Sequence, residues 1–259
     1  MDKIKKALEK VEKMEENAQV KGAVSSQKLT KELVPIYTKT RVVPIDEEVL
    51  LKNKIYSYFP DNPLTEQLRI LRTKIINKLE KLNGNTILIT SARPGEGKTL
   101  ISINLAISIA QKYDRTVLLV DSNLKNPMVH TYLGIQVDKG LSDVLLGEAH
   151  IHEVLINPSI PRFIIMPAGK KVVGSAELLN SPSAEVIFHE IKTRYPERLI
   201  IFDSPSVLTC ADPLVLADYA DAVLMVIEAE KTPAEDIEEA VKLLQEKPLI
   251  GVVLNKVRE

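Results

Sequence analysis

The sequence has few cysteines, little net charge and no long apolar run. Its single cysteine, Cys210, excludes an intramolecular disulfide and suits a reducing cytosol. A formal net charge of −1 argues against a nucleic-acid-binding surface. No apolar run approaches the ~20 residues that span a bilayer, and the charged start at 1–6 lacks the apolar centre of a signal peptide. We therefore expect a cytoplasmic globular protein.

The most informative segment is 91–99, which reads Ser-Ala-Arg-Pro-Gly-Glu-Gly-Lys-Thr. It follows the apolar run 86–90 and precedes a helical pattern, which is the strand–loop–helix context of a phosphate-binding loop. Ala92 stands where the usual loop has its first glycine. A tight turn with a surface lysine is the alternative interpretation.

Each residue type in this loop has a part in phosphate binding. Gly95 and Gly97 let backbone N–H groups approach a phosphate, and the helix N-terminus adds a partial positive charge. Lys98 is placed to reach the outer phosphates, and the Thr99 hydroxyl to ligate Mg²⁺. The predicted nucleotide-binding residues of the loop are Pro94, Gly95, Glu96, Gly97, Lys98, Thr99 and Leu100.

Short apolar runs alternate with helical patterns along the rest of the chain. Runs such as 117–120 and 199–202 are continuously apolar, as strands covered on both faces require. The alternation predicts an α/β fold, a P-loop NTPase-like parallel sheet with helices on both faces. The predicted strands are 86–90, 116–121, 162–167, 198–203, 222–228 and 248–254. The predicted helices are 66–82, 99–113, 141–147, 183–194, 211–218 and 232–246.

The N-terminal quarter differs in pattern, and we assign 1–60 and 61–259 to separate regions. The pattern of residues 2–17 predicts a charged helix with a narrow apolar stripe. One interpretation is a helix that docks on a partner or a membrane surface. The other is a helix that packs on its own domain or on a neighbouring copy. Residues 18–60 predict an extended linker, partly ordered against the domain. Thr65 is the predicted cap of the first helix of the domain.

Two apolar strands end in aspartate, at Asp121 and Asp203. The C-terminal ends of strands are where open α/β sheets bind ligands. A nucleotide-bound Mg²⁺ takes oxygen ligands, so we expect Thr99, Asp121 and Asp203 near the metal. Either aspartate by itself is also a common cap for the following segment.

From about residue 62 onward, several motifs resemble those of the bacterial tyrosine kinases, known as BY-kinases, and they occur in the family's order. They are Glu66-x-x-Arg69-x-x-Arg72, the Pro-Gly-Glu-Gly-Lys loop, a second Walker motif at 117–127, a Walker B motif at Asp203-Ser204-Pro205, and the segments 140–145 and 176–179. The charged start at 4–10 is similar to the branch of the family associated with exopolysaccharide and exosortase systems.

The resemblance implies an ATP- and Mg²⁺-dependent protein-tyrosine autokinase that regulates capsule or exopolysaccharide production. Lys98, Asp121 and Asp203 would be catalytic, and Asn255 would read the adenine edge, unless it is an ordinary turn asparagine. Expected partners are further copies of the chain, protein tyrosine substrates and a membrane activator of the polysaccharide co-polymerase (chain-length regulator) type. That activator would recruit the cytoplasmic chain to the inner face of the membrane.

The spacing of Glu66, Arg69 and Arg72 places them along one side of a helix. They are able to pair with each other, with a neighbour, or with phosphate. As local ion pairs they would contribute only ~0.3–0.5 kcal/mol each. The resemblance implies that they build the subunit interface.

Two departures from the family's motif keep other functions open. Asn123 replaces an aspartate and cannot hold a charge or accept a proton at neutral pH, while Lys125 replaces an arginine and loses the bidentate fork. One alternative is an ATPase switch of the septum-site or partition (MinD/ParA) type. The other is an ATP-binding regulatory scaffold with little kinase activity.

The family usually carries a C-terminal tyrosine cluster, whereas this sequence closes on 257–259 without one. The candidate phosphoacceptors are therefore Tyr37, Tyr56 and Tyr58. The alternative is that their rings pin the linker to the domain.

Overall fold

The computed structural model describes residues 40–111, 115–195 and 197–257. The strands are β1 (Arg41–Val42), β2 (Thr86–Ser91), β3 (Thr116–Asp121), β4 (Ile156–Asn157), β5 (Phe163–Met166), β6 (Arg198–Ser206), β7 (Ala222–Glu228) and β8 (Leu249–Asn255). The helices are α1 (Glu47–Lys52), a 3-10 turn (Tyr56–Tyr58), α2 (Pro63–Lys81), α3 (Lys98–Ala110), α4 (Val129–Leu133), α5 (Leu141–Leu145), α6 (Ile151–Val154), α7 (Ser175–Leu179), α8 (Pro182–Thr193), α9 (Asp212–Tyr219) and α10 (Ala234–Leu243).

The strands form one sheet in the order β1-β4-β5-β3-β6-β2-β7-β8. Neighbouring strands run parallel except β4 and β5, which are antiparallel and pair through Ile156 and Ile165. The connection 158–162 is too short for the helical crossover that parallel neighbours need. The predicted α/β fold is confirmed, with this antiparallel pair as an addition.

Both faces of the sheet are covered, as the continuous apolar runs predicted. In β3, Val117 and Leu119 belong to the core cluster that includes α3, whereas Leu118 and Val120 belong to the cluster on the opposite face with α8 and α9. All of these side chains are at most 1% exposed. The sheet therefore forms the middle layer between two layers of helices.

Residues 40–60, expected as the end of a linker, contribute to the core. Leu50 of α1 and Ile55 are completely buried in the cluster that contains α3. The backbone N–H of Ser57 donates to Oδ1 of Asn104 at 2.9 Å. A six-residue helix is too short for its apolar period to be recognised in the sequence. The predicted helix 2–17 lies outside the described residues.

Helix α2 begins earlier than predicted, and its predicted cap is wrong. Asn62 is the N-cap, because its side chain accepts a hydrogen bond from Leu64 N at 3.0 Å. Pro63 follows at a first-turn position, where its fixed φ suits the helix. The Thr65 hydroxyl instead donates to the carbonyls of Tyr56 and Phe59, at 2.8 Å each, and so joins α2 to the 3-10 turn.

The helix predicted at 141–147 is present as the one-turn helix α5, which ends at Leu145. The other three one-turn helices, α4, α6 and α7, were not predicted, because four or five residues are too few to show a helical period. Among the described residues, no helix is long and apolar enough to cross a membrane.

Candidate nucleotide-binding site

The segment 91–99 forms a loop between the end of β2 and the start of α3. Gly95 and Gly97 have φ angles of 83° and 98°, which only glycine adopts without strain. A Cβ on Gly97 would lie 2.1 Å from Nδ2 of Asn255, so a side chain has no room there. Lys98 is only 9% exposed, which disagrees with the alternative of a surface lysine in a tight turn.

The loop borders a cleft of about 450 Å³. Three further segments, after β3, in α4 and at the end of β6, complete its walls. The lining residues are Pro94, Gly95, Gly97, Lys98, Thr99, Asn123, Lys125, Asn126, Met128, Tyr132, Pro205, Ser206, Thr209 and Cys210. The cleft therefore opens at the C-terminal ends of the central strands, where ligands of parallel sheets bind.

Asp203 lies beneath the start of α3. Its Oδ2 accepts a hydrogen bond from the Thr99 hydroxyl at 2.7 Å, and its Oδ1 accepts one from Ser102 at 2.9 Å. The side chain is completely buried. The predicted partnership of Thr99 and Asp203 is thus a direct contact, and Ser102 is an additional member that the sequence motifs did not indicate.

Asp121 is the register partner of Asp203 across the β3–β6 pair. It is also completely buried. Its Oδ2 accepts hydrogen bonds from the backbone N–H groups of Met128 and Val129, at 3.0 Å each, and its Oδ1 accepts a longer one of 3.3 Å from Asn123 N. These bonds shape the segment after β3 around the carboxyl group.

Both buried carboxyl groups have raised pKa values. Burial, and then the charge of Asp203, raise the pKa of Asp121 to about 8. Burial raises the pKa of Asp203 to about 6, against the opposing effects of the Thr99 hydrogen bond, the Lys98 charge and the Ser102 hydrogen bond. Two carboxylates this close are costly to ionise together without a further cation.

This donor set fits Mg²⁺. Carboxylate and hydroxyl oxygens are the ligands that the ion prefers, and nucleotide-bound Mg²⁺ usually takes one or two protein ligands with phosphates and water. Among the described residues, no group of three or more His, Cys, Asp or Glu side chains forms a separate metal cage.

The two residues that depart from the motif both lie at the cleft. Asn123 is 8% exposed, and its Oδ1 accepts a hydrogen bond from Asn126 N at 3.1 Å. Lys125 pairs with Oδ1 of Asp212 at 3.2 Å. Asp212 is buried and also accepts the Ser175 hydroxyl at 2.6 Å. Nothing in the sequence pattern indicated Asp212, which reaches Lys125 only through the fold.

Asn255, the expected adenine reader, is the last residue of β8. Its Nδ2 donates to the carbonyl of Glu96 at 2.9 Å. The structure thus places Asn255 against the loop, and its contact with adenine stays a prediction.

The three motif residues of α2, Glu66, Arg69 and Arg72, do not share a single surface role. Arg69 pairs with Glu66 at 3.2 Å, and both side chains are exposed. Arg72 donates to the carbonyl of Ser108 in α3 at 2.8 Å, so it joins two helices of the same chain. Among the described contacts, Glu66 and Arg69 pair only with each other on the helix surface, whereas Arg72 is engaged with α3.

Of the candidate acceptor tyrosines, Tyr37 lies outside the described residues. Tyr56 and Tyr58 form the ends of the 3-10 turn. The Tyr58 hydroxyl donates to Oε1 of Glu47 at 3.1 Å, and its ring meets Phe59 edge-on, with centroids 5.2 Å apart. These contacts favour the anchoring interpretation for Tyr58.

The three-layer fold and the glycine loop define a P-loop NTPase-like domain. A family model described as an AAA domain matches residues 84–249. The tyrosine-protein kinase YwqD of Bacillus subtilis is 32% identical over 206 residues, which cover 79% of this chain and 86% of YwqD. The chain therefore belongs to the bacterial tyrosine kinase family.

The solved VpsO kinase domain is 31% identical, with a TM-score of 0.65 over 76% of this chain and all of that domain. The septum-site protein MinD of Pyrococcus horikoshii, solved with Mg-ADP, has a TM-score of 0.56 at 22% identity, over 66% of this chain and 69% of MinD. The likeness to MinD shows a shared fold alone. The chain spans about a quarter (26%) of the length of the EpsB relatives from Ralstonia.

Proposed function

We propose that this chain binds MgATP and transfers its γ-phosphoryl group to a tyrosine hydroxyl of a protein. The observation that carries the proposal is the convergence of the glycine loop, Lys98 and Thr99 on one cleft, with the buried Asp203 hydrogen-bonded to Thr99, in a chain of this family. In the reaction the tyrosine oxygen forms a bond to the γ-phosphorus, the bond from that phosphorus to the bridging oxygen breaks, and ADP leaves.

The loop and Lys98 supply the electrostatic part of catalysis. Backbone N–H groups of the loop and the N-terminus of α3 face the negative phosphates. Lys98 lies beside the Ser206 hydroxyl, with 3.5 Å between Nζ and Oγ, and brings a buried positive charge to the cleft. Stabilising charge that develops on the phosphates is most of the catalysis in phosphoryl transfer.

Thr99, Asp203 and Asp121 are the residues that would hold Mg²⁺, directly or through water. When bound, the ion neutralises charge on the β- and γ-phosphate oxygens. Without it, the buried Asp203 depends on Thr99, Ser102 and Lys98 for compensation.

We assign to Asp121 the role of accepting the proton of the attacking tyrosine hydroxyl. Asp121 is completely buried behind the residues that line the cleft, and its Oδ1 accepts only the 3.3 Å bond from Asn123 among the described contacts. Lone-pair capacity therefore remains on Oδ1 for a water that bridges to the substrate hydroxyl. A positioned carboxylate of this kind orients or deprotonates the attacking hydroxyl.

The proposal extends to assembly and location through the family resemblance. Copies of the chain would associate through α2, where Glu66 and Arg69 are exposed. A membrane activator of capsule or exopolysaccharide synthesis would recruit the chain to the inner face of the membrane. The proposed domain boundaries remain 1–60 and 61–259, with 40–60 packed against the domain.

A second candidate function is an ATP-binding scaffold with little phosphoryl transfer. It is favoured by Asn123, a neutral side chain at the cleft, and by the engagement of Lys125 with Asp212.

Incubation of the full chain with MgATP and a tyrosine-rich acceptor peptide tests these functions. ADP release and phosphotyrosine, the latter located by peptide mass spectrometry, are both expected. ADP release without phosphotyrosine would instead support an ATPase switch. Nucleotide binding without turnover would support the scaffold.

A further inference from the structure

Two side chains at the end of β8 hold the outer side of the phosphate loop. Lys256 Nζ donates to the carbonyl of Gly95 at 2.7 Å, and Asn255 Nδ2 donates to the carbonyl of Glu96 at 2.9 Å. These are consecutive carbonyl groups in the middle of the loop, so the end of β8 fixes two successive peptide units.

The orientation of a peptide unit decides where its N–H group points. In a planar trans peptide, the C=O and N–H bonds point in opposite directions. Holding the carbonyls of Gly95 and Glu96 toward β8 therefore turns the N–H groups of Glu96 and Gly97 away from it. Backbone N–H groups in such a loop are the donors that bind phosphate.

Lys256 is itself held in place for this contact. Its Nζ also pairs with Oε2 of Glu228 at 3.0 Å, and Glu228 lies beside Asn255 in the β7–β8 register. The backbone φ of Lys256 is 58°, a left-handed conformation that non-glycine residues seldom adopt. Strain of this kind persists where surrounding contacts determine the conformation.

The side chain of Glu96 anchors the loop at a second point. Glu96 is 2% exposed, and its Oε2 accepts Arg93 N at 2.9 Å. Its Oε1 accepts the hydroxyl of Thr232, which in turn accepts Glu228 N at 2.9 Å. Glu228 thus connects both anchors, through its backbone to Glu96 and through its carboxylate to Lys256.

We infer that Lys256 is a positioning residue for phosphate binding, which acts by orienting the peptide of Gly95 so that the loop N–H groups face the β-phosphate. The inference rests on the proposed nucleotide-binding function. Lys256 has no assigned contact with the nucleotide, and its effect is specific for ligands that carry a β-phosphate.

The test compares ADP and AMP binding to the full chain by titration calorimetry. Lys256→Met keeps the aliphatic stem and removes the donor. We expect its ADP affinity to fall about five- to ten-fold, the size of one ordinary hydrogen bond, with AMP affinity unchanged. Lys256→Arg, which keeps a cationic donor, should restore most of the ADP affinity.

Lys231→Met is the matched control, since Lys231 also pairs with Glu228, at 3.3 Å, but does not contact the loop. It should bind both nucleotides as the unmodified chain does. ADP affinity unchanged in Lys256→Met would overturn the inference, and so would equal losses of ADP and AMP affinity. If the unmodified chain binds no ADP, the proposed function itself fails, and that result is distinguishable from either of these.

Discussion

The Thr99 hydroxyl donates a 2.7 Å hydrogen bond to Oδ2 of Asp203, which is completely buried. This contact joins the first turn of the helix after the loop to the C-terminal half of the central strand β6. It brings a hydroxyl and a carboxylate together at the point where a nucleotide-bound cation would lie. The two residues are 104 positions apart in the sequence.

We expect Lys98→Ala to lower ATP hydrolysis by about a hundred-fold or more, because it removes a buried donor that faces developing phosphate charge. The fold should persist, since the hydrogen bond that is lost is the long Ser206 contact, and Thr99 and Ser102 still donate to Asp203 when the Lys98 charge is removed. ADP release and circular dichroism measure the two effects. Lys231→Ala, at an exposed site, is the control, and undiminished turnover in Lys98→Ala would contradict the site assignment.

Asp121→Asn should reduce phosphotyrosine formation more than Asn123→Ala does. Only Asp121 is able to accept a proton or to act as an anionic metal ligand. Quantitative mass spectrometry of an acceptor peptide, at saturating MgATP, gives the ranking. If Asn123→Ala reduces phosphotyrosine formation more than Asp121→Asn does, a group other than Asp121 accepts the proton of the tyrosine hydroxyl.

Leu50→Ala should lower the free energy of unfolding by about 2–4 kcal/mol, because it opens a cavity in the core. The adjacent Leu51, which is 54% exposed, provides the matched control. Leu51→Ala should change the free energy by no more than about 0.5 kcal/mol. Urea unfolding measures both, and equal effects would show that 40–60 is not part of the folded unit.

The double variant Glu66→Ala, Arg69→Ala should lower the mass of the oligomer, because it removes the exposed charged pair of α2. Arg72→Ala should act mainly on stability, since Arg72 bonds to Ser108 O within the chain. Light scattering at matched concentrations separates the two. An unchanged mass in the double variant would remove α2 from the interface.

Tyr58 should remain unphosphorylated after incubation with MgATP, because its hydroxyl donates a hydrogen bond to Glu47 and its ring packs edge-on against Phe59. Tyr58→Phe should cost no more than about 1 kcal/mol of stability, the scale of one hydrogen bond. Peptide mass spectrometry measures the phosphate on Tyr58 and, for comparison, on Tyr37 and Tyr56. Phosphate on Tyr58 would show that the 3-10 turn opens.

Local patterns explain which parts of the fold were predictable. The loop 91–99 has its glycines and lysine within a few residues, and long apolar strands such as 117–120 are recognisable by themselves. Asp121 and Asp203 were recognisable because each follows a continuous apolar run, although β6 continues beyond Asp203 to Ser206, and ligands bind at the C-terminal ends of parallel strands. The helices that the sequence analysis missed, α1, α4, α6, α7 and the 3-10 turn, have too few residues to show a period.

The sequence by itself determined the α/β fold, the glycine loop and the aspartates that follow the apolar runs of β3 and β6, because each of these depends on neighbouring residues. Only the tertiary structure decided what surrounds the loop. Lys256 reaches Gly95 across 161 positions of sequence, and Thr232 reaches Glu96 across 136. No local pattern encodes such contacts, since they arise only when β7 and β8 pair in the sheet and the loop after β2 packs against their C-terminal ends.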